Sequence, residues 1–521
     1  MQSYDVAIIG SGFAGTILGT ILAKHNIKTV VIDRSCHPRF AIGEATLRTT
    51  TYLMRLLAER YDVPEFNEIT KQTFQHHVHG IKKGFGYVYH RQDQQQDPGE
   101  TMQVEFREYE HHYYRQDLDS YLLHTAIKYG ATILQNTPLE DIFFHEDSVT
   151  LRTNRDNIHV KYVVDGSGYH SLIGKKYNLM MNPCPAKTNT RTIFNHMIDV
   201  KSWDDLSTSH KVIPWNQVTL HHLFDGGWIW IIPFNNRKDS SNELVSIGLT
   251  IDNRRFPKQP DLGGEEEFFN IISRYPSILK QFENARAVRD WVSTPRQQYM
   301  TKTSIGDRYC LLSHASGFID ALFSKGLANS ASVINSLADK IINAVRDDDF
   351  STARFEPVDK MQKDMVSHND NLVHYAYTAF SDFRLWQSYF YFWLIDGTIG
   401  LERIKKARIL MSNGNDSMAR EVTWMTDVPG YMDYAATVFG ILDSVERQEV
   451  SAEEAARVII ELVKRQNIAP IIFNYVLDKE ERFVSVQPNF LRDLRTHLYK
   501  KISGNQAIKQ YFDYWPMHKI S

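Results

Sequence analysis

The stretch Gly10-Ser11-Gly12-Phe13-Ala14-Gly15 constrains the fold of this chain more than any other. It follows Tyr4-Asp5-Val6-Ala7-Ile8-Ile9, an apolar run of strand length, and it opens Thr16 to Lys24, whose apolar residues recur at helical spacing. A second apolar run, Thr29-Val30-Val31-Ile32, ends on Asp33. Strand, glycine loop, helix, strand and acid together form the dinucleotide-binding fingerprint in its required context. The first glycine permits a tight turn, the second lets a pyrophosphate approach the backbone, and the third lets helix and strand pack closely. The anion rests on unpaired N–H groups at the helix start, and the acid reaches a ribose hydroxyl. Gly10, Gly12, Phe13, Ala14, Gly15 and Asp33 are therefore expected to bind a nucleotide.

At roughly 150 residues per domain, 521 residues allow two or three domains. A hydrophobic content of 42% with 12% aromatics fits a well-filled interior. The net charge of −3 gives no argument for nucleic acid or an acidic membrane as partner. Three cysteines, Cys36, Cys184 and Cys310, are too few and too scattered for a disulfide framework or a zinc site. The chain enters a core strand with no basic leader, and its longest apolar stretch, Trp386 to Ile395, falls short of the ~20 residues a membrane span needs. A cytoplasmic location without a membrane partner is expected. His76-His77-His79, His111-His112 and His221-His222 lack a supporting carboxylate or cysteine pattern, so no metal is expected.

Further along, Thr50 to Leu57 has helical spacing, residues 74–90 read as a strand pair, and 91–100 as an exposed loop. A helix over Leu118–Tyr129 and a strand over Thr132–Leu134 follow. A hairpin of 148–151 with 159–164 leads into Asp165-Gly166-Ser167-Gly168, a second place where a sheet edge meets the nucleotide. Short β-like runs between 185 and 300 suggest a large antiparallel sheet. Cys310-Leu311-Leu312 returns as a strand, and Gly326–Ala344 is helical. Beyond about 350 the pattern is helical, with a capping box at Ser451 and Glu454. Tyr375 to Trp393 reads as one buried helix whose rings either fill a core or wall an aromatic pocket. The expected fold is mixed α/β: a single Rossmann-type domain from 1–180 and 300–348, an inserted antiparallel-sheet substrate domain over 181–299, and a C-terminal helical region over 349–521.

Four segments add chemistry: Gly43-Glu44-Ala45-Thr46, Ile81-Lys82-Lys83-Gly84-Phe85-Gly86-Tyr87, Trp228-Ile229-Trp230-Ile231-Ile232-Pro233, and Gly317-Phe318-Ile319-Asp320-Ala321-Leu322-Phe323-Ser324-Lys325-Gly326. With them, the chain up to about residue 395 resembles the flavin-dependent halogenases, in particular the phenol-acting type of pyoluteorin biosynthesis. The resemblance implies FAD as cofactor. It would be held also by Arg39, Gly43, Glu44, Ala45, Arg115, Asp165, Gly317, Phe318 and Asp320. No second glycine loop is present, so FADH2 is expected from a partner reductase. Chloride or bromide is the implied co-substrate, seated at Ser324, Lys325 and Gly326 where a helix begins. The halide, oxidised to hypohalous acid at the flavin, would be held by Lys82, as a hydrogen-bonded ammonium or as a haloamine. Strand alternation puts Lys82 and Lys83 on opposite faces. The haloamine route needs burial to lower the amine from its usual pKa of roughly 10.4. Trp228 and Trp230 share a face. With Phe85, Pro233 and Phe323 they would line the path between flavin and a small aromatic substrate.

Three departures from the related patterns bear on the expectation. Tryptophan halogenases carry a Glu at the place of Phe323, a carboxylate that an indole needs and a phenol does not. Ser313-His314 stands where the wider flavoprotein class has Gly-Asp, and Ala321 replaces a proline. The expected function is FADH2- and O2-dependent halogenation of a phenolic or other electron-rich aromatic small molecule. An FAD-dependent aromatic hydroxylase and a flavin-binding protein without turnover are the alternatives, and a homodimer is left open.

Overall fold

A computed structural model of the chain describes residues 3–71, 74, 77–421, 428–466, 468 and 483–485. His76 and the expected helical region beyond 485 lie outside them. The glycine fingerprint forms as its spacing dictates. Strand β1 (Ser3–Ile9) leads into helix α1 (Phe13–Lys24) and strand β2 (Thr29–Ile32). Helix α2 (Arg48–Tyr61) precedes two long strands, β3 (Gly80–Tyr89) and β4 (Thr101–His112). Helix α3 (Arg115–Lys128) and strands β5 (Thr132–Leu134), β6 (Leu139–Phe144), β7 (Val149–Thr153) and β8 (Asn157–Asp165) follow. Strands β9 (Thr190–Ile198), β10 (Thr219–Phe224), β11 (Gly227–Pro233), β12 (Val245–Asp252) and β13 (Tyr309–Leu311) come next. The helices then run as α4 (Gly326–Asp347), α5 (Thr352–Ala379), α6 (Phe383–Ser412), α7 (Tyr431–Glu446) and α8 (Ala452–Arg465).

The first sheet has a parallel core in the order β13-β8-β1-β2-β5, and the β6–β7 hairpin joins it antiparallel at β8. Strands β1, β2 and β8 are almost wholly apolar in their buried parts, as strands covered on both faces must be. The second sheet runs β9-β12-β11-β10-β3-β4, extended at β4 by Phe483–Ser485. It does not begin at residue 181. Residues 80–112, expected in the nucleotide domain, supply two of its strands, and β3 joins β10 in parallel. The strand pair read over 74–90 is in fact one strand, β3, whose partner is β4 across the 91–100 loop. The reason is register: Lys82, Gly84 and Phe85 are buried against β4, a pairing that no local pattern specifies.

The stretch from Tyr375 to Trp393 is broken into two helices. Asp382 caps the second, its Oδ1 accepting from the N–H groups of Arg384 and Leu385 at 2.8 and 3.1 Å. Trp386, Phe390 and Trp393 then share one face of α6 and pack on the second sheet through Phe85 and Tyr87. Of the expected capping box the N-cap half forms, Ser451 Oγ accepting from Glu454 N–H at 3.2 Å, while the Glu454 carboxylate pairs with Arg457. Among the described residues no helix is long and apolar enough to cross a membrane.

Candidate active site

The glycine loop has the geometry its sequence demands. Gly10 has φ +103°, and a Cβ there would lie 2.5 Å from the carbonyl oxygen of Gly166. A Cβ on Gly15 would lie 2.0 Å from the carbonyl oxygen of Gly10. A Cβ on Gly12 would meet nothing within 4 Å. Two glycines thus serve close packing, and the third faces free space at the start of α1, where a pyrophosphate fits. Asp33 is buried and its Oδ2 accepts from Ser11 N–H, Ser11 Oγ and Arg39 Nη2, each at 2.8 Å. Among the described residues the buried Nε of Arg39 and Nδ1 of His37 have no hydrogen-bond partner. The Arg39 Nε–H suits an oxygen of a bound nucleotide, whereas His37, whose Nε2–H donates to the Ser11 carbonyl at 2.9 Å and whose pKa burial lowers, offers Nδ1 as an acceptor for a hydroxyl.

Beside this loop, Gly43 (φ +94°) opens the Glu44-Ala45-Thr46 segment. Glu44 is buried, accepting from Gly43 N–H at 2.8 Å and pairing with His196 Nε2 at 3.1 Å. Phe40 lies between the Phe194 ring, 6.3 Å away, and the Arg289 guanidinium, 3.3 Å above it. Phe194 in turn approaches Trp230 at 6.4 Å. A line of rings therefore connects the nucleotide loop to the tryptophan pair, whose centroids are 5.6 Å apart. Trp230 fits because Gly248 lies opposite it, where a Cβ would come within 1.9 Å of the indole.

Lys82 lies on β3, in the same sheet as the tryptophan pair. It is fully buried, whereas Lys83 on the other face is partly exposed over Tyr109. A register shift between Lys82 and Gly84 aims it inward. Lys82 Nζ donates to the Thr46 carbonyl at 2.6 Å and sits 4.0 Å from the centre of the Phe85 ring. Burial pulls its pKa down to about 7, although the nearby Glu110 carboxylate favours the ammonium. Glu110, cross-strand from Lys82, is also buried and accepts from Thr51 Oγ1 at 2.6 Å and Thr46 Oγ1 at 3.0 Å. Burial raises its pKa against those bonds. His112 and His221, the other ionisable groups close by, are held neutral by burial first and by the Lys82 charge second. Phe85 meets Trp393 edge-on at 5.7 Å, and Trp393 stacks on Phe323 at 4.7 Å. The lysine thus lies against the rings of Phe85 and Phe106, and beyond Phe85 stand Trp393 and Phe323.

Four of the expected site residues turn inward. Asp165 spends its oxygens on Ser167 N–H and Oγ and on Ile173 N–H, bracing the turn that touches Gly10. Arg115 grips Asp119 and donates to the Ile42 carbonyl at 2.8 Å, shaping the Gly43 loop. Asp320 accepts from Thr190, Gln297, Tyr377 and the Leu322 N–H, and burial raises its pKa to about 6. The Lys325 ammonium points to Asp396 rather than into the turn. Gly317 and Phe318 form a short strand against Tyr299 and Met300. Pro233 ends β11, its carbonyl 3.1 Å from His112 Nδ1. Ser324 and Gly326 flank the start of α4.

Residues 3–268 match a family described as FAD binding domain. The monodechloroaminopyrrolnitrin halogenase PrnC of Pseudomonas fluorescens is 38% identical over 539 residues, covering 99% of this chain and 95% of its own. The tetracycline 7-halogenase of Kitasatospora aureofaciens is 38% identical over 487 residues, covering 89% of this chain and 87% of its own. A crystal structure of the halogenase PltM with phloroglucinol and FAD superposes with a TM-score of 0.88 at 31% identity, covering 92% of this chain and 99% of its own.

The chain belongs to the flavin-dependent halogenase family.

This halogenase is an enzyme whose cofactor is FAD, and the glycine loop, the free space at Gly12, the Arg39 donor and the His37 acceptor fit that group. His314, expected to stand in for a carboxylate, is half-buried beside Gly326 and 5.7 Å from the Phe318 ring. Burial first, and the Arg115 charge second, hold its pKa at about 4, so the ring is neutral at neutral pH. Sequence reasoning missed Glu110, His196, Trp393 and Asp396. Trp393 lay within the aromatic run already noted. Glu110 carries no local signal, since it lies in the run Arg107-Glu108-Tyr109-Glu110-His111-His112 among other charged and polar residues.

Proposed function

We propose that this halogenase acts on a phenolic or similarly electron-rich small aromatic ring, and that Lys82 hands the oxidised halogen to it. The fully buried Lys82 amine, with its pKa drawn down to about 7, carries the reading. Bound FADH2 with dioxygen supplies the oxidising power that converts a halide ion to hypohalous acid. The halide seat is the turn Ser324-Lys325-Gly326, where the first amides of α4 are free to take an anion. The neutral Lys82 amine takes the halogen with loss of water. The ring then takes it from nitrogen and returns its proton there. Trp228 and Trp230 separate the two ends of this path, so an oxygen atom is kept from the ring.

Phe323 supports the phenol. Stacked on Trp393, it offers no carboxylate to steady a ring cation, so the substrate's own oxygen must do so. PltM, which holds phloroglucinol, a benzenetriol, supports the same chemistry. FADH2 would come from a separate reductase, as is typical of the family. The deciding experiment supplies reductase, FAD, NADH, oxygen and chloride or bromide with phenols, pyrroles and indoles, and reads products by mass. Halogenated phenol is expected. Hydroxylated phenol, or preferential halogenation of indole, would overturn the proposal, and FAD binding with no product would return the reading without turnover.

The pH profile offers a separate check. The rate should rise with pH through a midpoint near 7 as Lys82 loses its proton. Glu110→Gln removes the charge that favours the ammonium, so the midpoint should move towards acid by about one unit or more. A rate that falls through the same midpoint would instead identify the ammonium, acting by hydrogen bond, as the working form.

A further inference from the structure

Helix α4 is entered through a strained turn. Ser324 has φ +52°, a left-handed conformation that costs a side-chain-bearing residue energy, and Lys325 already has helical angles. Something must hold this turn, and the contact comes from the C-terminal helices. Lys325 Nζ donates to Asp396 Oδ2 on α6 at 2.8 Å. The other oxygen of Asp396 accepts from Tyr431 OH on α7 at 2.7 Å and meets His368 Nε2 on α5 at 2.8 Å. Asp396 and Tyr431 are completely buried, and Lys325 and His368 nearly so. Burial alone would favour the protonated acid, but the Lys325 ammonium and the His368 bond hold Asp396 well below the usual carboxylate range. The halogen-transfer steps use none of these four side chains, yet the network joins three helices to one turn.

We propose that Asp396 is a positioning residue for the halide. With His368 and Tyr431 it clamps Lys325, draws the ammonium out of the turn, and fixes Ser324 so that the first amides of α4 converge on the anion. The inference rests on the reading of Ser324-Lys325-Gly326 as the halide seat. A seat built this way holds the ion by backbone dipoles while the lysine charge is spent elsewhere. The C-terminal helices thereby acquire a role at the reaction centre that their sequence does not advertise.

The test is steady-state halogenation by the full chain with reductase and FAD, titrating bromide and chloride at saturating phenol. Asp396→Asn should raise the halide KM about tenfold or more, with kcat at saturating halide, phenol KM and FAD affinity within about twofold. Tyr431→Phe, which removes one bond and leaves the ion pair, should raise it about two- to threefold. Gly326→Ala, whose Cβ would lie 3.2 Å from His314 Nε2, tests the seat itself and should also raise halide KM. If Gly326→Ala raises it and Asp396→Asn does not, the positioning role is overturned and the seat stands. If neither does, the seat reading fails. A loss of kcat with halide KM unchanged would also overturn the proposal, because it marks a purely structural ion pair. Should Asp396→Asn not fold, an unchanged halide KM in Tyr431→Phe decides against it.

Discussion

Lys82→Ala is expected to lower halogenated product by about 100-fold or more, the scale set by removing a positioned group that acts on the reacting atoms. FAD affinity should fall far less than product, because Lys82 touches the Gly43–Thr46 loop only through the Thr46 carbonyl and does not reach the glycine loop. The truncation removes a buried amine together with the Thr46 bond and the contact with Phe85, so a modest loss of stability accompanies it. Lys82→Met keeps most of the volume and separates the two effects. If Met restores stability and product remains absent, the amine is the working group. Lys82→Arg should not rescue, since a guanidinium stays protonated and cannot carry a halogen as an amine does. Full activity in Lys82→Met, read by product mass, would overturn the lysine role.

The second large effect is on the cofactor. In Gly15→Ala the new Cβ would press on the Gly10 carbonyl, a backbone atom that cannot rotate away. Overpacking of this kind costs about 1–3 kcal/mol. If the strain falls on the loop, FAD binding weakens by about 10- to 100-fold. The melting temperature of the flavin-free protein should fall as well. Gly12→Ala provides the contrast, because its Cβ meets no protein atom. That variant should melt like the parent without flavin and still bind FAD weakly, since the methyl group occupies space the pyrophosphate needs. Flavin titration with melting curves checks both. Normal FAD affinity in Gly12→Ala would move the pyrophosphate to another place.

The glycine loop was legible because its requirements are local. Gly10, Gly12 and Gly15 act through backbone conformation and close approach within a short segment, and the first sheet's strands announce themselves as continuous apolar runs. Lys82 was legible for a similar reason, since strand alternation separates it from Lys83 within two residues. The Ser451 and Glu454 cap is local too. The boundary at 181 was not legible, because membership of a sheet depends on which strand pairs with which. Lys82 and Glu110 meet only through the β3–β4 register, and Phe85 meets Trp393 across more than half of the chain.

What the residues determined by themselves is the nucleotide-binding core and the candidate groups of the proposed reaction: a glycine loop, an inward lysine, a tryptophan pair, and no carboxylate at Phe323. What only the tertiary structure decided is the electrostatic setting of those groups. Burial draws the pKa of the Lys82 amine down to about 7, Glu110 opposes that pull, and Asp396 pairs with the Lys325 ammonium. Charge in a protein interior depends on desolvation and on partners supplied by distant segments, and neither is written in the spacing of neighbouring residues.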